Sequence, residues 1–232
     1  MHGYDLLVMH GLDPEILCVV NATNAMYPRE VYGFFRQLGA PFLTFIPLVD
    51  RMQGGPAPVT PASVSAEDFG TFLCRIFDVW KENDIGKVKI QIVEEALRTA
   101  FGQNHTLCIF KEECGGVPVV EHNGDFYSCD HFVSPEHHLG NIRTTALADL
   151  LDSDRQRACG RAKRETLPRY CRECEVLDMC HGECPKNRFI LTPDGEPGLN
   201  YLCAGYRKFF NHIRPFAEAV AGVWKEREHP LH

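Results

Sequence analysis

Apolar residues in the first hundred positions fall into short runs and helical stripes that alternate. Residues 15–21, EILCVVN, form a short apolar run closed by polar Asn21, the pattern of a buried strand. A helix is expected next, because Pro28 suits a first helical turn and Val31, Phe34, Phe35 and Leu38 recur at helical spacing up to a stop at Gly39. A second apolar run, PFLTFIPLV at 41–49, completes the order strand, helix, strand, which reads as a right-handed βαβ unit with parallel strands. Residues 50–64 are rich in Gly and Pro and are expected to form a loop, of the kind that often covers a site at a strand's C-terminal end. Ser65 then caps an amphipathic helix with Phe69, Phe72, Leu73, Ile76, Phe77 and Trp80 on one stripe. KVKIQIV at 87–93 alternates as a strand, and 94–101 reads as a short helix. Three parallel strands neither close a barrel nor make a comfortable open sheet. The pattern looks like the last strands of a larger, TIM-like α/β barrel whose front strands are absent from this chain.

From Cys108 the character changes. VPVVEHNGDFYSC reads as a β-hairpin turning at Asn123-Gly124, with Cys129 leaving its second strand. Thr144 or Thr145 is expected to cap a short helix. The polar, basic run DSDRQRACGRAKRE reads as a solvated helix face. TPDGEPGLN reads as a turn-rich loop, and Cys203 opens a long C-terminal helix through roughly Trp224.

The cysteines carry the candidate chemistry. Eight of the eleven lie between positions 108 and 203, as Cys108-x5-Cys114-x14-Cys129, then Cys171-x2-Cys174-x5-Cys180-x3-Cys184-x18-Cys203. One cysteine in a strand or helix, such as Cys18 or Cys74, is ordinary core. Four within the fourteen residues 171–184 are different, because the surrounding segment YCRECEVLDMCHGECP has Gly and Pro breaks and little apolar content. Ligation would fold it, since metal-binding free energy is folding free energy in loop-rich pieces. Eight thiols suffice for two four-thiolate sites, whether iron–sulfur cubanes or structural zinc, and spacing alone leaves their division open. Cys159 reads as an exposed free thiol, and His131 and His181 are candidates for contacts behind the ligands.

Composition narrows the setting. The 232 residues are 44% hydrophobic with net charge −7, which argues against nucleic acid or an anionic membrane surface as partner. No apolar run approaches the ~20 residues of a membrane span, and MHGYDLLVMHG lacks a signal peptide's basic start and apolar core. A cytoplasmic protein is expected. In that reducing compartment clustered cysteines are ligands or catalytic groups more often than disulfides.

The spacing Cys114-x9-Gly124-x4-Cys129-x41-Cys171-x2-Cys174-x5-Cys180-x3-Cys184-x18-Cys203 resembles the seven-cysteine SPASM signature of radical S-adenosylmethionine peptide-modifying enzymes. Cys108, NGDFYSCDHFV, LGNI and LNYLCAGYRKFF are similar to one branch, the anaerobic sulfatase-maturating enzymes, and EILCVVN and PFLTFIPLVD resemble that family's late barrel strands. The resemblance implies a partial radical S-adenosylmethionine barrel at 1–103 and a SPASM domain with a hairpin and C-terminal helix at 104–232. It implies two auxiliary [4Fe–4S] clusters, one held by Cys108, Cys114, Cys129 and Cys184, the other by Cys171, Cys174, Cys180 and Cys203. The implied reaction oxidises a sulfatase Cys or Ser, in a Cys/Ser-x-Pro-x-Arg peptide, to Cα-formylglycine, with flavodoxin or ferredoxin as reductant. Asp130 matches the family's proton acceptor, and Val49 the strand position that contacts S-adenosylmethionine. One departure stands out: the family's CxxxCxxC motif for the radical-generating cluster occurs nowhere in the sequence. S-adenosylmethionine and a third cluster are therefore expected only with a missing N-terminal half. Another radical S-adenosylmethionine peptide-modifying enzyme of the SPASM type, a non-catalytic peptide-binding iron–sulfur module and a two-zinc protein are the competing expectations.

Overall fold

The computed structural model describes residues 2–52 and 58–228. Contacts divide the chain into two units, Met1–Gln103 with Leu202–His232, and Asn104–Tyr201.

The first unit opens with a short helix α1 (His2–Met9), which buries none of its side chains and had no signal in the apolar pattern. Strand β1 (Ile16–Val20) pairs in parallel with β2 (Phe42–Pro47), from Ile16 opposite Leu43 to Val20 opposite Pro47. Between them runs α2 (Pro28–Leu38), with Pro28 in its first turn and Gly39 in the left-handed conformation at its end (φ 76°), as the sequence predicts. Among the described residues β1 pairs only with β2, and Leu17 (64% exposed) and Val19 (49% exposed) stand out from it. The loop expected at 50–64 is partly described; its residues 53–57 lie outside the described residues.

Helix α3 (Ala66–Asn83) starts where Ser65 accepts the Asp68 amide at 3.1 Å, and its whole expected stripe from Phe69 to Trp80 is buried. The strand expected at 87–93 is far shorter. Only Lys89–Ile90, here β3, pairs with β2, and α4 (Gln91–Ala100) begins at once. Ile92, Val93 and Ala96, all buried, satisfy a helical stripe as well as an alternating one, so the period alone was ambiguous. The long helix α9 (Cys203–Glu228), grouped by sequence with the cysteine-rich part, packs against α3 and α4. Phe69 meets Tyr206 edge-on at 5.5 Å and Phe77 meets Phe216 at 5.4 Å. The crossing of α3 and α9 depends on two glycines, because a Cβ on Gly70 would come within 2.7 Å of the Gly205 Cα.

The second unit has little regular structure. Strands β4 (Val119–Val120), β5 (Asp125–Tyr127) and β6 (His138–Asn141) form an antiparallel sheet in that order. Between β4 and β5, Gly124 donates its amide to Glu121 and Glu121 donates to Asp125, with Gly124 left-handed (φ 91°). The connection is thus a three-residue loop with a left-handed glycine rather than a two-residue turn. Short helices follow: α5 (Leu147–Leu151), α6 (Asp154–Glu165), α7 (Arg169–Arg172) and α8 (Leu177–Cys180). Thr144 and Thr145 do not cap α5, whose N-cap position is Ala146, because both threonine amides close a turn on the Asn141 carbonyl. TPDGEPGLN is part of a second hairpin, β7 (Ile190–Leu191) with β8 (Pro197–Leu199), rather than a plain loop.

Gly205→Ala is expected to lower the unfolding free energy by about 1–3 kcal/mol, because the added methyl meets α3 backbone that cannot move aside. Gly33→Ala, in open space on α2, should leave the urea midpoint equal or higher.

Candidate metal centre

The loop that carries Cys108 and Cys114 has no secondary structure, yet it is fixed through its carbonyls. From the buried face of α6, the Lys163 ammonium donates to the carbonyls of Cys108 (2.9 Å), Ile109 (2.7 Å) and Lys111. The Cys114 amide donates to Gly160 one turn back on the same helix, at 3.2 Å. Gln156 donates to Gly115 at 2.6 Å. Gln156, Gly160 and Lys163 lie at helical spacing, are all buried, and include no apolar side chain. The run expected to be a solvated face is therefore solvated on one side only. Cys159, expected to be exposed, is half-buried and lines a cavity with Cys114, whose thiol lies 3.9 Å from the Cys159 carbonyl.

Cys129 follows the sheet's central strand in extended conformation. Its thiol lies 3.3 Å from the exposed carboxylate of Asp130, and the ligand atoms of Cys129, Asp130 and His131 all lie within 4.8 Å of one another. His131 Nδ1 lies 3.6 Å from the Cys184 sulfur. Burial pushes the Cys129 thiol up to about 11 and Cys184 to about 12. Cys108 adds to the rise at Cys114, Cys129 and Cys184, and Cys129 adds to that at Cys184, so Cys108 acts electrostatically on the other three. A cavity of ≈ 240 Å³ is lined by Cys114, Cys129, Cys159, Phe132, His137 and Lys163 among others.

A second group surrounds α7 and α8. Cys171 is buried, while Cys174 and Cys180 are half-buried. Burial raises the Cys171 thiol, Arg188 opposes that rise, and Cys174 adds to it. Between Cys180 and Cys184 the backbone is left-handed at His181 (φ 45°), Gly182 (φ 70°) and Glu183 (φ 51°), a conformation that costs a non-glycine residue about 1 kcal/mol or more. Arg188 holds this run, donating Nη2 to His181 (2.9 Å) and Glu183 (3.1 Å), Nε to Gly182 (2.9 Å) and Nη1 to the Lys163 carbonyl (2.6 Å). His181 in turn donates Nδ1 to the Phe110 carbonyl at 2.8 Å, tying the run to the Cys108 loop. Burial raises the Glu183 carboxyl, whose Oε2 accepts from Asn187 and from Asn200 at 2.5 Å. Cys203 opens α9 in the first unit, and Val49 is buried just past β2.

Lys163 and Arg188 escaped the sequence reading. Burial pulls the Lys163 ammonium down to about 8, Arg188 adds to that, and Cys114, Glu183 and Cys180 oppose it. The one available signal was the helical spacing of Gln156, Gly160 and Lys163.

Residues 108–175 match the SPASM family, an iron–sulfur cluster-binding domain, so the cysteine-rich unit carries that domain. The chain is homologous to the anaerobic sulfatase-maturating enzymes. It is 43% identical over 231 residues to the serine-type enzyme of Bacteroides thetaiotaomicron, covering 94% of this chain and 56% of the relative. It is 33% identical to the serine-type enzyme of Klebsiella aerogenes, over 96% of this chain and 54% of the relative. The solved structure of native anSMEcpe with bound AdoMet and Cp18Cys peptide matches with a TM-score of 0.81 at 26% identity, covering 95% of this chain and 61% of that one. The chain thus spans just over half the length of the curated relatives it matches. Among the described residues no helix is long and apolar enough to cross a membrane.

Gly160→Ala places a methyl 2.5 Å from the Cys114 carbonyl, so it should displace that loop and cost about 1–3 kcal/mol of stability, read by chemical denaturation. A pH effect is expected at Asp125, whose carboxylate is held below its usual range by hydrogen bonds from Asn141, Asn123 and His138. A depressed carboxyl stabilises the fold above its unfolded pKa of about 3.9, and that contribution is lost as pH falls through the folded value. Asp125→Asn should therefore lower the thermal midpoint at pH 7 and make progressively less difference below about pH 4.

Proposed function

We propose that this chain is an iron–sulfur component of sulfatase maturation, holding two auxiliary [4Fe–4S] clusters and presenting Asp130 as proton acceptor to a substrate peptide. The observation that carries the reading is that Cys114 and Cys129, inside the segment 108–175 that matches the cluster-binding family, line one cavity, with Asp130 against the Cys129 thiol and Cys108 acting electrostatically on Cys114, Cys129 and Cys184. These four would hold one cluster. Cys171, Cys174, Cys180 and Cys203 would hold the other, as the resemblance implies. The donor set suits iron: all eight are cysteines, and none is paired in a disulfide.

The clusters, when bound, supply one-electron transfer. Converting a Cβ–SH or Cβ–OH group toward a carbonyl equivalent removes a hydrogen atom from Cβ, a proton from sulfur or oxygen, and one electron. Asp130 is exposed and adjacent to the ligand Cys129, so a peptide hydroxyl or thiol can reach its carboxylate and pass it that proton. His131, beside the Cys184 sulfur, orients that side of the site. Val49, buried past β2, is the position proposed to contact S-adenosylmethionine. With no CxxxCxxC in the chain, the hydrogen-abstracting radical comes from a source outside it. The substrate is a Cys/Ser-x-Pro-x-Arg peptide, with flavodoxin or ferredoxin as reductant in the cytoplasm. The serine-type relatives favour the serine form.

Anaerobic reconstitution is expected to give about eight iron and eight sulfide per chain with broad absorption near about 400 nm. About two zinc and no sulfide would sink the reading. Asp130→Asn should keep both clusters and lose peptide oxidation in the presence of a competent radical source. Retained oxidation would remove Asp130 from the mechanism.

A further inference from the structure

The cysteine-rich unit holds one buried and one half-buried cation, Lys163 and Arg188, that make no close ion pair with a carboxylate. Lys163 is 1% exposed, and its ammonium hydrogens are taken by the carbonyls of Cys108, Ile109 and Lys111. Arg188 is taken by four more, those of Lys163, His181, Gly182 and Glu183. Carbonyls satisfy N–H donors but carry no net charge. Among the described residues, no carboxylate oxygen lies within 4.0 Å of either cation. The one carboxylate buried alongside, Glu183, accepts instead from Asn187 and Asn200. Glu183 acts on both cations, but one carboxylate cannot balance two, and positive charge held largely out of water is costly unless further negative charge sits nearby.

The groups that can supply the anion are the cysteines. Lys163 lines the cavity with Cys114 and Cys129 and grips the backbone carbonyl of Cys108 itself. Arg188 fixes the left-handed run whose two ends are Cys180 and Cys184. Besides Glu183, Lys163 interacts electrostatically with Cys114 and Cys180, and Arg188 with Cys171, Cys180 and Cys184. Each cation therefore faces cysteines of both proposed ligand sets. Four thiolates around a dicationic cubane leave a dianion, which supplies the counter-charge that Glu183 alone does not.

We propose that Lys163 and Arg188 are the shared counter-cations of the two cluster sites, binding the clusters electrostatically and raising the reduction potentials of both. The inference rests on the cluster reading given above. A fixed cation beside an anionic cluster favours the reduced, more negative form, so it raises the potential, and burial strengthens the effect by lowering the local dielectric. Because each cation faces both sets, its loss is felt at both clusters. They are positioning residues, acting through the clusters.

The test uses the full chain reconstituted anaerobically, with iron and sulfide assayed before potentials are measured by redox titration followed by electron paramagnetic resonance. Lys163→Gln and Arg188→Gln remove charge; Lys163→Arg and Arg188→Lys keep it. Each neutral variant is expected to lower both potentials by at least a tenfold change in the reduced-to-oxidised ratio, 59 mV for a one-electron couple. The charge-keeping variants should stay within a third of that shift. Clusters held at parental potentials in the neutral variants overturn the proposal, as does an equal shift in the charge-keeping ones. If a neutral variant fails to take up clusters, circular dichroism of the apo chain decides. A parental apo fold with clusters lost supports the counter-charge role. An unfolded apo chain makes these side chains structural pegs and overturns it. A parental chain that takes up no iron and sulfide fails at the underlying reading instead.

Discussion

The cysteine-rich unit folds around positive charge withdrawn from water and shared among backbone carbonyls. Seven carbonyl oxygens converge on Lys163 and Arg188, drawn from the Cys108 loop, from α6 and from the left-handed run after α8. Loops of this kind leave many polar groups that no strand or helix satisfies, and each one buried without a partner costs about 1–3 kcal/mol. Two long cationic side chains satisfy several at once. They do so from two points in sequence, Lys163 and Arg188, joined to each other by the bond from Arg188 to the Lys163 carbonyl. The Cys108 loop and the run between Cys180 and Cys184 both meet at that junction.

The first unit follows a more familiar logic. Its parallel strands are joined by helices, and its core is the apolar stripe of α3 closed by the aromatic face of α9. Hydrophobic burial supplies the stability there, whereas in the second unit large buried apolar side chains are few and polar cross-links take their place. The two units thus differ in what holds them, and seven of the eight candidate ligands lie in the second.

Legibility in the sequence tracks that difference. The βαβ order, the Ser65 cap, the α3 stripe and the Gly39 stop were readable because each is a local rule acting on a few neighbours. Cysteine spacing was readable as chemistry for the same reason. The extent of β3 was not, because residues 91–93 fit both periods until Ala96 is seen to pack. The site of α9's packing was hidden as well: Gly205 and Gly70 matter only once two helices distant in sequence cross. Least visible was Lys163. A lysine in a run of arginines reads as solvated, and only the placement of unsatisfied carbonyls some fifty positions earlier puts it inside.

The left-handed run at 181–183 has an evolutionary consequence. Connecting loops are ordinarily where sequences drift most freely. Here the reverse holds, because two side-chain-bearing residues sit at positive φ and their carbonyls must keep pointing at one guanidinium. Branching at Cβ is barred at both positions, and Gly182 is hemmed in by Leu167 and Arg188. The accessible alternatives at 181 and 183 shrink to glycine, asparagine, aspartate and a few others. Over evolutionary time this connection should therefore drift more slowly than the helices on either side of it.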